Sequence, residues 1–386
     1  MGINMPNFEE LTTPQRNILE VVLKQKEDII VVGGPGTGKS ILAIHAYNMN
    51  KRDENTELVA FNKILVQYFE EGYGGLDDNK EKRVSFKTFD GLFWYKKVKI
   101  TKQPPNKDEL DDNYNETTEK EMSKYINDNR FENIFDTLII DEAQDLSLIR
   151  HRLALEMGNR KIIFLDDLQK VNENGTDKRT IKNLLYKDVK EYSLVQNFRN
   201  TNEIYELTKF LFDSMDNQLT IRSGDKPELI KFNDENRMLN YIVNIIDNNP
   251  TKSIGIFYPY QSGIENIKKD FYYLEKQIRK ELFDLDDRFS LSFGSDNNSI
   301  NFSNNHIHLI TTNIHKGLEY DIVIMPYLNS EFYHNRNYEQ NLGKAYVGVT
   351  RASEQLYMMY SGDDNNSFMI NKLKEGSYLL DIKEVD

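Results

Sequence analysis

The run Gly33-Gly34-Pro35-Gly36-Thr37-Gly38-Lys39-Ser40 contains the spacing G-x-x-x-x-G-K-S. Glycines at that spacing let backbone amides turn inward on phosphate oxygens, and the start of a following helix adds partial positive charge. Lys39 can then reach β- and γ-phosphates, and Ser40 can ligate magnesium. A second run, Leu138-Ile139-Ile140-Asp141-Glu142-Ala143-Gln144-Asp145, ends an apolar stretch on paired acids. Asp141 is placed to hold hydrated magnesium and Glu142 to polarise an attacking water, because phosphoryl transfer depends on positioning and charge more than on covalent chemistry. ATP and Mg2+ are the implied cofactors. A hydrolase and a P-loop kinase share these parts and differ in whether water or a substrate takes the phosphate.

These groups need a scaffold of strands and helices. Asp28 to Val32 reads as a strand, the glycine run as a loop, and Ile41 to Tyr47 as a helix, the order the phosphate motif demands. Upstream, Thr12 and Thr13 before Pro14, followed by Ile18, Leu19, Val22 and Leu23, predict an amphipathic helix with a hydroxyl cap. Short apolar runs recur at Leu58–Phe61, Thr137–Ile140, Lys161–Leu165, Ser253–Phe257, His306–Ile310, Ile322–Met325 and Gln355–Met359. They are too short for helices and lack strict alternation, as in strands covered on both faces. The expected fold is therefore α/β, two layers with mainly parallel sheets, divided at residues 1–190 and 191–386. Lys102 to Asn129 and Phe293 to Asn305, both polar, read as surface excursions.

The chain has 386 residues, with 49 Lys+Arg against 62 Asp+Glu, a net charge of −13 that excludes a polybasic nucleic-acid coat. Cysteine is absent, which removes disulfides and thiolate zinc sites. No apolar run approaches the ~18 residues of a membrane helix, and the start, Met1-Gly2-Ile3-Asn4-Met5-Pro6, has no signal-peptide pattern. A cytoplasmic location without membrane partners is expected.

Several segments together resemble, in order, the motifs of a superfamily 1 helicase of the UvrD/Rep type, from Gln15 to Ala352. The resemblance implies two RecA-like P-loop domains with ATP in the interdomain cleft. Gln15 is similar to the adenine-reading glutamine, and Gly33, Gly34, Pro35, Gly36, Thr37, Gly38, Lys39 and Ser40 to the phosphate loop. Phe61-Asn62-Lys63 resembles motif Ia and Phe86-Lys87-Thr88-Phe89 motif Ib, which implies nucleic-acid contacts from Asn62, Lys63, Thr88 and Phe89. Phe164 to Gln169 resembles motif III, with Gln169 as γ-phosphate sensor; Leu165 replaces the usual glycine and Asn172 the base-stacking aromatic. Gln196 to Thr201 is similar to motif IV and Val347 to Ala352 to motif VI, which implies that Arg199 and Arg351 are catalytic cations at the γ-phosphate. Thr311 to Asp321 resembles motif V, with Glu319 on the ribose and Thr311 on the nucleic-acid backbone.

The implied activity is ATP hydrolysis that drives movement along single-stranded nucleic acid, DNA before RNA. Motifs IV to VI point to 3′ to 5′ movement, although the Gly-Pro-Gly-Thr-Gly-Lys loop is commoner in branches of opposite polarity. The gaps Phe89–Asp141 and Arg199–Thr311, where larger relatives carry accessory domains, are short. That also fits a nucleic-acid-stimulated ATPase acting as a sensor or motor subunit with a partner nuclease or loader. One segment lies outside the motifs: Phe93 to Lys102, where the single Trp94 neighbours Tyr95 and Lys96, Lys97, Lys99 and Lys102. It reads either as a nucleic-acid groove or as an apolar anchor followed by a solvated basic strand.

Overall fold

The computed structural model describes residues 5–50, 54–76, 85–103, 107–167, 175–185, 189–212, 218–258, 276, 289–292, 306–311, 318–330, 338–364 and 367–385. The chain forms two compact units that divide between Val195 and Gln196.

The first unit is a six-stranded parallel sheet with strands β1 (Ile29–Gly33), β2 (Thr56–Ala60), β3 (Lys87–Thr88), β4 (Phe135–Ile140), β5 (Gly158–Leu165) and β6 (Lys190–Leu194). Their order is β3-β2-β4-β5-β1-β6. Successive side chains of a strand point to opposite faces, and both faces here are covered. Ile29, Val31, Leu58, Ile139, Ile162 and Phe164 pack beneath α1 (Thr13–Lys24), α2 (Lys39–Asn50) and α3 (Lys63–Leu76). Ile30, Val59, Leu138, Ile140, Ile163 and Leu165 pack on the other side. That side carries α4 (Phe89–Thr101), α5 (Lys107–Asn127) and α6 (Leu148–Met157). This double burial explains why the strand sequences are apolar throughout rather than alternating.

Three local expectations change. Lys102 to Asn129, read as a surface excursion, contains the 21-residue α5. Thr118, Met122 and Tyr125 on that helix are buried, four and three residues apart, which puts them on one face against the core. Phe93 to Thr101 belongs to α4 and is helical, not a strand. Lys190–Leu194 pairs with β1 along its whole length, so residues 191–195 belong to the first unit. Its Lys-Glu-Tyr-Ser-Leu sequence lacks an apolar run because it is an edge strand, where only one neighbour is needed. In α1, Ile18, Leu19 and Val22 are buried as expected, while Leu23 is 47% exposed. Phe293 to Asn305 lies outside the described residues.

The second unit opens with a short parallel pair, β7 (Gln196–Asn197) and β8 (Leu219–Thr220). Its main sheet has seven strands: β9 (Glu228–Phe232), β10 (Ile254–Tyr258), β11 (Phe289–Ser292), β12 (Ile307–Thr311), β13 (Tyr320–Met325), β14 (Ala352–Ser361) and β15 (Asp381–Val385). Their order is β11-β12-β10-β13-β14-β9-β15, again parallel in every pairing. Helix Glu235–Asn248 starts where the Asp234 side chain accepts from the Arg237 N–H. It buries Met238, Leu239, Ile242, Ile245 and Ile246, one stripe at helical spacing, against Ile230, Ile256, Leu309 and Ile324. Among the described residues no helix is long and apolar enough to cross a membrane.

Candidate active site

The phosphate loop leaves β1 at its C-terminal end and enters α2 at Lys39. Gly36 and Gly38 have φ of 71° and 85°, the left-handed region that side chains disfavour. A Cβ at Gly38 would also lie 2.7 Å from Gln15 Nε2. The loop is held internally: Thr37 Oγ1 donates to Gly34 O at 2.9 Å, and Lys39 Nζ donates to Gly33 O and Gly34 O at 2.8 and 2.9 Å.

Gln15 lies far from the loop in sequence and against it in space. Its Nε2 donates to Thr37 O at 3.2 Å, while its Oε1 accepts the Thr12 N–H at 3.0 Å and so caps α1. One glutamine thus satisfies a helix end and props the loop, which is why it is buried although helical glutamines are ordinarily solvent-facing.

The paired acids end β4. Ser40 Oγ donates to Asp141 Oδ2 at 2.6 Å, and the other carboxylate oxygen, Oδ1, is buried without a hydrogen-bond partner. Burial raises the proton affinity of Asp141 and the adjacent Glu142 charge raises it further, against opposing pulls from Ser40 and Lys39. A buried carboxylate with an unpartnered oxygen beside a hydroxyl is a hard-oxygen donor pair of the kind magnesium takes together with phosphate oxygens. The residues present therefore fit the metal.

Glu142 sits at φ 51°, ψ 44°, a conformation that costs a non-glycine residue about 1–2 kcal/mol. Its carboxylate accepts from Gln144 Nε2 at 2.5 Å, and Gln144 Oε1 in turn accepts the Asp166 N–H at 3.1 Å. Asp166, nearly fully buried, brings its carboxylate to 4.0 Å from Lys39 Nζ. Below this group His151 packs inside the core, with Nε2 2.9 Å from Ala143 O. Burial pushes its pKa down to about 4, so the ring is neutral and Nε2–H is the donor.

Sequence reasoning passed over Gln144, Asp166 and His151. The first two stood inside quoted motifs without a role, and only β5 ending beside β4 reveals their connection. Gln169, the expected γ-phosphate sensor, lies outside the described residues, as does Asn172.

The expected nucleic-acid residues have definite local duties. Asn62 Oδ1 accepts from Leu65 N–H at 2.8 Å at the start of α3, where Lys63 is the first helical residue and is exposed. Thr88 Oγ1 accepts from Gly91 N–H at 3.0 Å and caps α4. Phe89 requires a correction. It is 1% exposed and packs in the core with Leu92, Phe93 and Leu146, because the first turn of α4 points its apolar side at the sheet, so its ring offers no face to a base. Thr311 is the last residue of β12, and its side chain is outside the described set.

In the second unit the motif IV and VI matches are bonded to one another. Arg199 Nε donates to Glu319 Oε2 at 3.0 Å. Asn200 Nδ2 donates to Thr350 O and Ala352 O at 3.3 and 2.6 Å. Arg351 is 2% exposed: Nε donates to Val347 O at 3.1 Å and Nη1 to Leu318 O at 3.2 Å. Such burial is unusual for arginine and is tolerated because the charge is hydrogen-bonded.

Two parallel sheets, one with a phosphate loop at a strand end and paired acids on a neighbouring strand, define a P-loop α/β protein. Sequence comparison narrows this. Residues 26–244 match the Schlafen group 3 DNA/RNA helicase domain family, and residues 262–363 match the UvrD-like helicase C-terminal domain. The first match spans more than half of the chain, which therefore belongs to that helicase domain family and to the UvrD/Rep-like group of superfamily 1 helicases. The ATP-dependent DNA helicase Rep of Buchnera aphidicola subsp. Baizongia pistaciae (strain Bp) is 27% identical over 130 residues, 32% of this chain and 19% of the relative. The match thus spans about a fifth of the length of that curated relative. A solved structure, the C-terminal domain of a possible DNA helicase from Lactobacillus plantarum WCFS1, is similar over 48% of this chain and 98% of its own, with 18% identity and a TM-score of 0.35.

Proposed function

We propose that the chain is an ATP-dependent translocase or helicase that hydrolyses ATP to move 3′ to 5′ along single-stranded nucleic acid, DNA in preference to RNA. The observation that carries this reading is the Ser40–Asp141 bond of 2.6 Å, which leaves the second Asp141 oxygen buried and unpartnered beside the phosphate loop.

In this reading the backbone amides of the loop cradle the phosphates, and Lys39 exchanges its carbonyl partners for β- and γ-phosphate oxygens. Ser40 and Asp141 hold the magnesium, which when bound supplies positive charge against the phosphates. Glu142 accepts a hydrogen bond from the attacking water and orients it, and Gln144 holds the Glu142 carboxylate in place. Gln15 reads the adenine and Glu319 the ribose. Arg199 and Arg351 stabilise charge on the transferred phosphoryl group, an effect worth about 10³–10⁵ in turnover for each such arginine. Asn62, Lys63, Thr88 and Thr311 contact the strand, and a partner nuclease or loader acts with the protein in the cytoplasm.

A second reading, a nucleic-acid-stimulated ATPase with little unwinding of its own, is favoured by one observation. Between β3 and β4 the described residues hold only α4 and α5, both packed onto the first unit's core. Both readings are tested by ATP hydrolysis with magnesium, alone and with single-stranded DNA, single-stranded RNA and duplex DNA, using Lys39→Ala as blank. Stimulation with strand displacement supports the helicase; stimulation without displacement selects the second reading. Hydrolysis indifferent to all three nucleic acids sinks both.

A further inference from the structure

The basic stretch that follows Phe93 takes no part in the nucleotide site. On α4 Tyr95 is 43% exposed, and two ammonium groups lie against its ring: Lys99 Nζ at 4.4 Å and Lys87 Nζ at 5.0 Å from the centroid. Lys99 also hydrogen-bonds the phenol, and with the charges of Lys87 and Lys96 it lowers the phenol's proton affinity.

Lys97, one residue past Lys96, is by contrast neutralised. It pairs with Glu121 at 2.8 Å and lies over the Trp94 ring. Among the described residues no carboxylate forms an ion pair with Lys87, Lys96 or Lys99. The acid that faces them, Glu57 on β2, is half-buried; burial raises its proton affinity, with Lys87 and Lys96 opposing.

Two cations lie against one exposed phenol, and a third, Lys96, lies nearby with its Nζ 4.4 Å from the centroid of the Phe135 ring, in a chain whose net charge is −13. Like charges held close repel, and an anion that bridges them relieves that repulsion. An exposed aromatic ring among lysines is the pairing that suits a flexible polyanion with flat bases, since lysines neutralise phosphates and a ring supplies a stacking surface. We propose that Lys87 of β3 and Lys99 of α4, both against the Tyr95 ring, together with Lys96 of α4, form a binding patch for the backbone of a single-stranded nucleic acid. This patch rests on the nucleic-acid reading above and extends it from the motif Ib match, which holds Lys87, onto α4.

The test uses the full chain and a fluorescein-labelled oligo(dT), with binding followed by anisotropy across a salt series. The triple variant K87Q/K96Q/K99Q is expected to weaken binding about tenfold or more at low salt and to reduce the slope of log K against log salt by about 2, at roughly 0.7 for each phosphate that a lysine neutralises. Lysine-to-arginine replacements at the same three positions keep the affinity and guard against a folding defect. Tyr95→Ala weakens binding a few-fold without changing the slope. Basal ATP hydrolysis stays unchanged in all of them. Unchanged affinity and slope in the triple variant, while the parent protein binds, overturn this patch alone; a parent protein that binds no nucleic acid overturns the functional reading as well. Preferential binding of the parent protein to phosphatidylserine vesicles, abolished in the triple variant, overturns the proposal by assigning the patch to an anionic membrane surface.

Discussion

Gln144 donates to Glu142 at 2.5 Å and, through its other amide atom, accepts from the backbone of Asp166. One side chain thereby fixes the acid that follows β4 to the end of β5. The Gln144 amide is engaged on both sides, so Glu142 cannot rotate without breaking a buried hydrogen bond. This makes Gln144 a positioning residue for the proposed water-activating carboxylate.

Replacing Gln144 with Ala is expected to lower ATP turnover about 10- to 100-fold while nucleotide affinity changes little, because the phosphate cradle does not involve it. Replacement by Glu, which puts a second negative charge beside Glu142, is expected to lower turnover at least as far. Paired measurement of kcat and nucleotide binding separates this from a folding defect; a parallel loss of affinity would remove the positioning role.

Lys39→Ala and Glu142→Gln are both expected to abolish hydrolysis, with ATP binding retained only in the second. Lys39 is part of the loop's internal bonding, whereas Glu142 stands beyond it. Equilibrium binding of a fluorescent ATP analogue in the presence of magnesium checks the split.

Arg351→Ala has two expected consequences. Turnover falls about 10³-fold if the arginine serves the γ-phosphate. The second unit is also destabilised by about 2–4 kcal/mol, since the carbonyls of Val347 and Leu318 are deprived of charged donors in a buried place. Denaturation curves beside steady-state rates resolve the two. A stable variant with only a mild rate loss would move the catalytic role to Arg199.

His151 makes a prediction about acid. Its ring is buried and neutral, with a pKa near 4 against 6.5 for an unperturbed histidine. Between those values the unfolded chain binds the proton and the folded chain does not, so stability is fully present above about pH 6.5 and declines as pH falls toward 4. The slope contributed is up to ~1.4 kcal/mol per pH unit. His151→Gln should flatten that part of the curve in urea titrations, and an unchanged slope would mean that another group controls it.

The phosphate loop, the paired acids and eight of the strands were legible in the residues because each is a contiguous signal: glycine spacing, an acid pair after an apolar run, a short β-branched stretch. Edge strands such as Lys190–Leu194 were not, since one neighbour suffices and no apolar run is required. Helix α5 was hidden by its polar surface, which outnumbers the few residues it buries.

What the sequence determined by itself is local chemistry: which side chains can hold phosphate and magnesium, and in what order they occur along the chain. Tertiary packing decided which of those side chains are spoken for. It turned Phe89 into core, enclosed Arg351 among carbonyls, brought Gln15 onto the loop and joined Gln144 to Asp166. Burial and hydrogen-bond partnership depend on elements far apart in sequence meeting in space, and no stretch of residues states them alone.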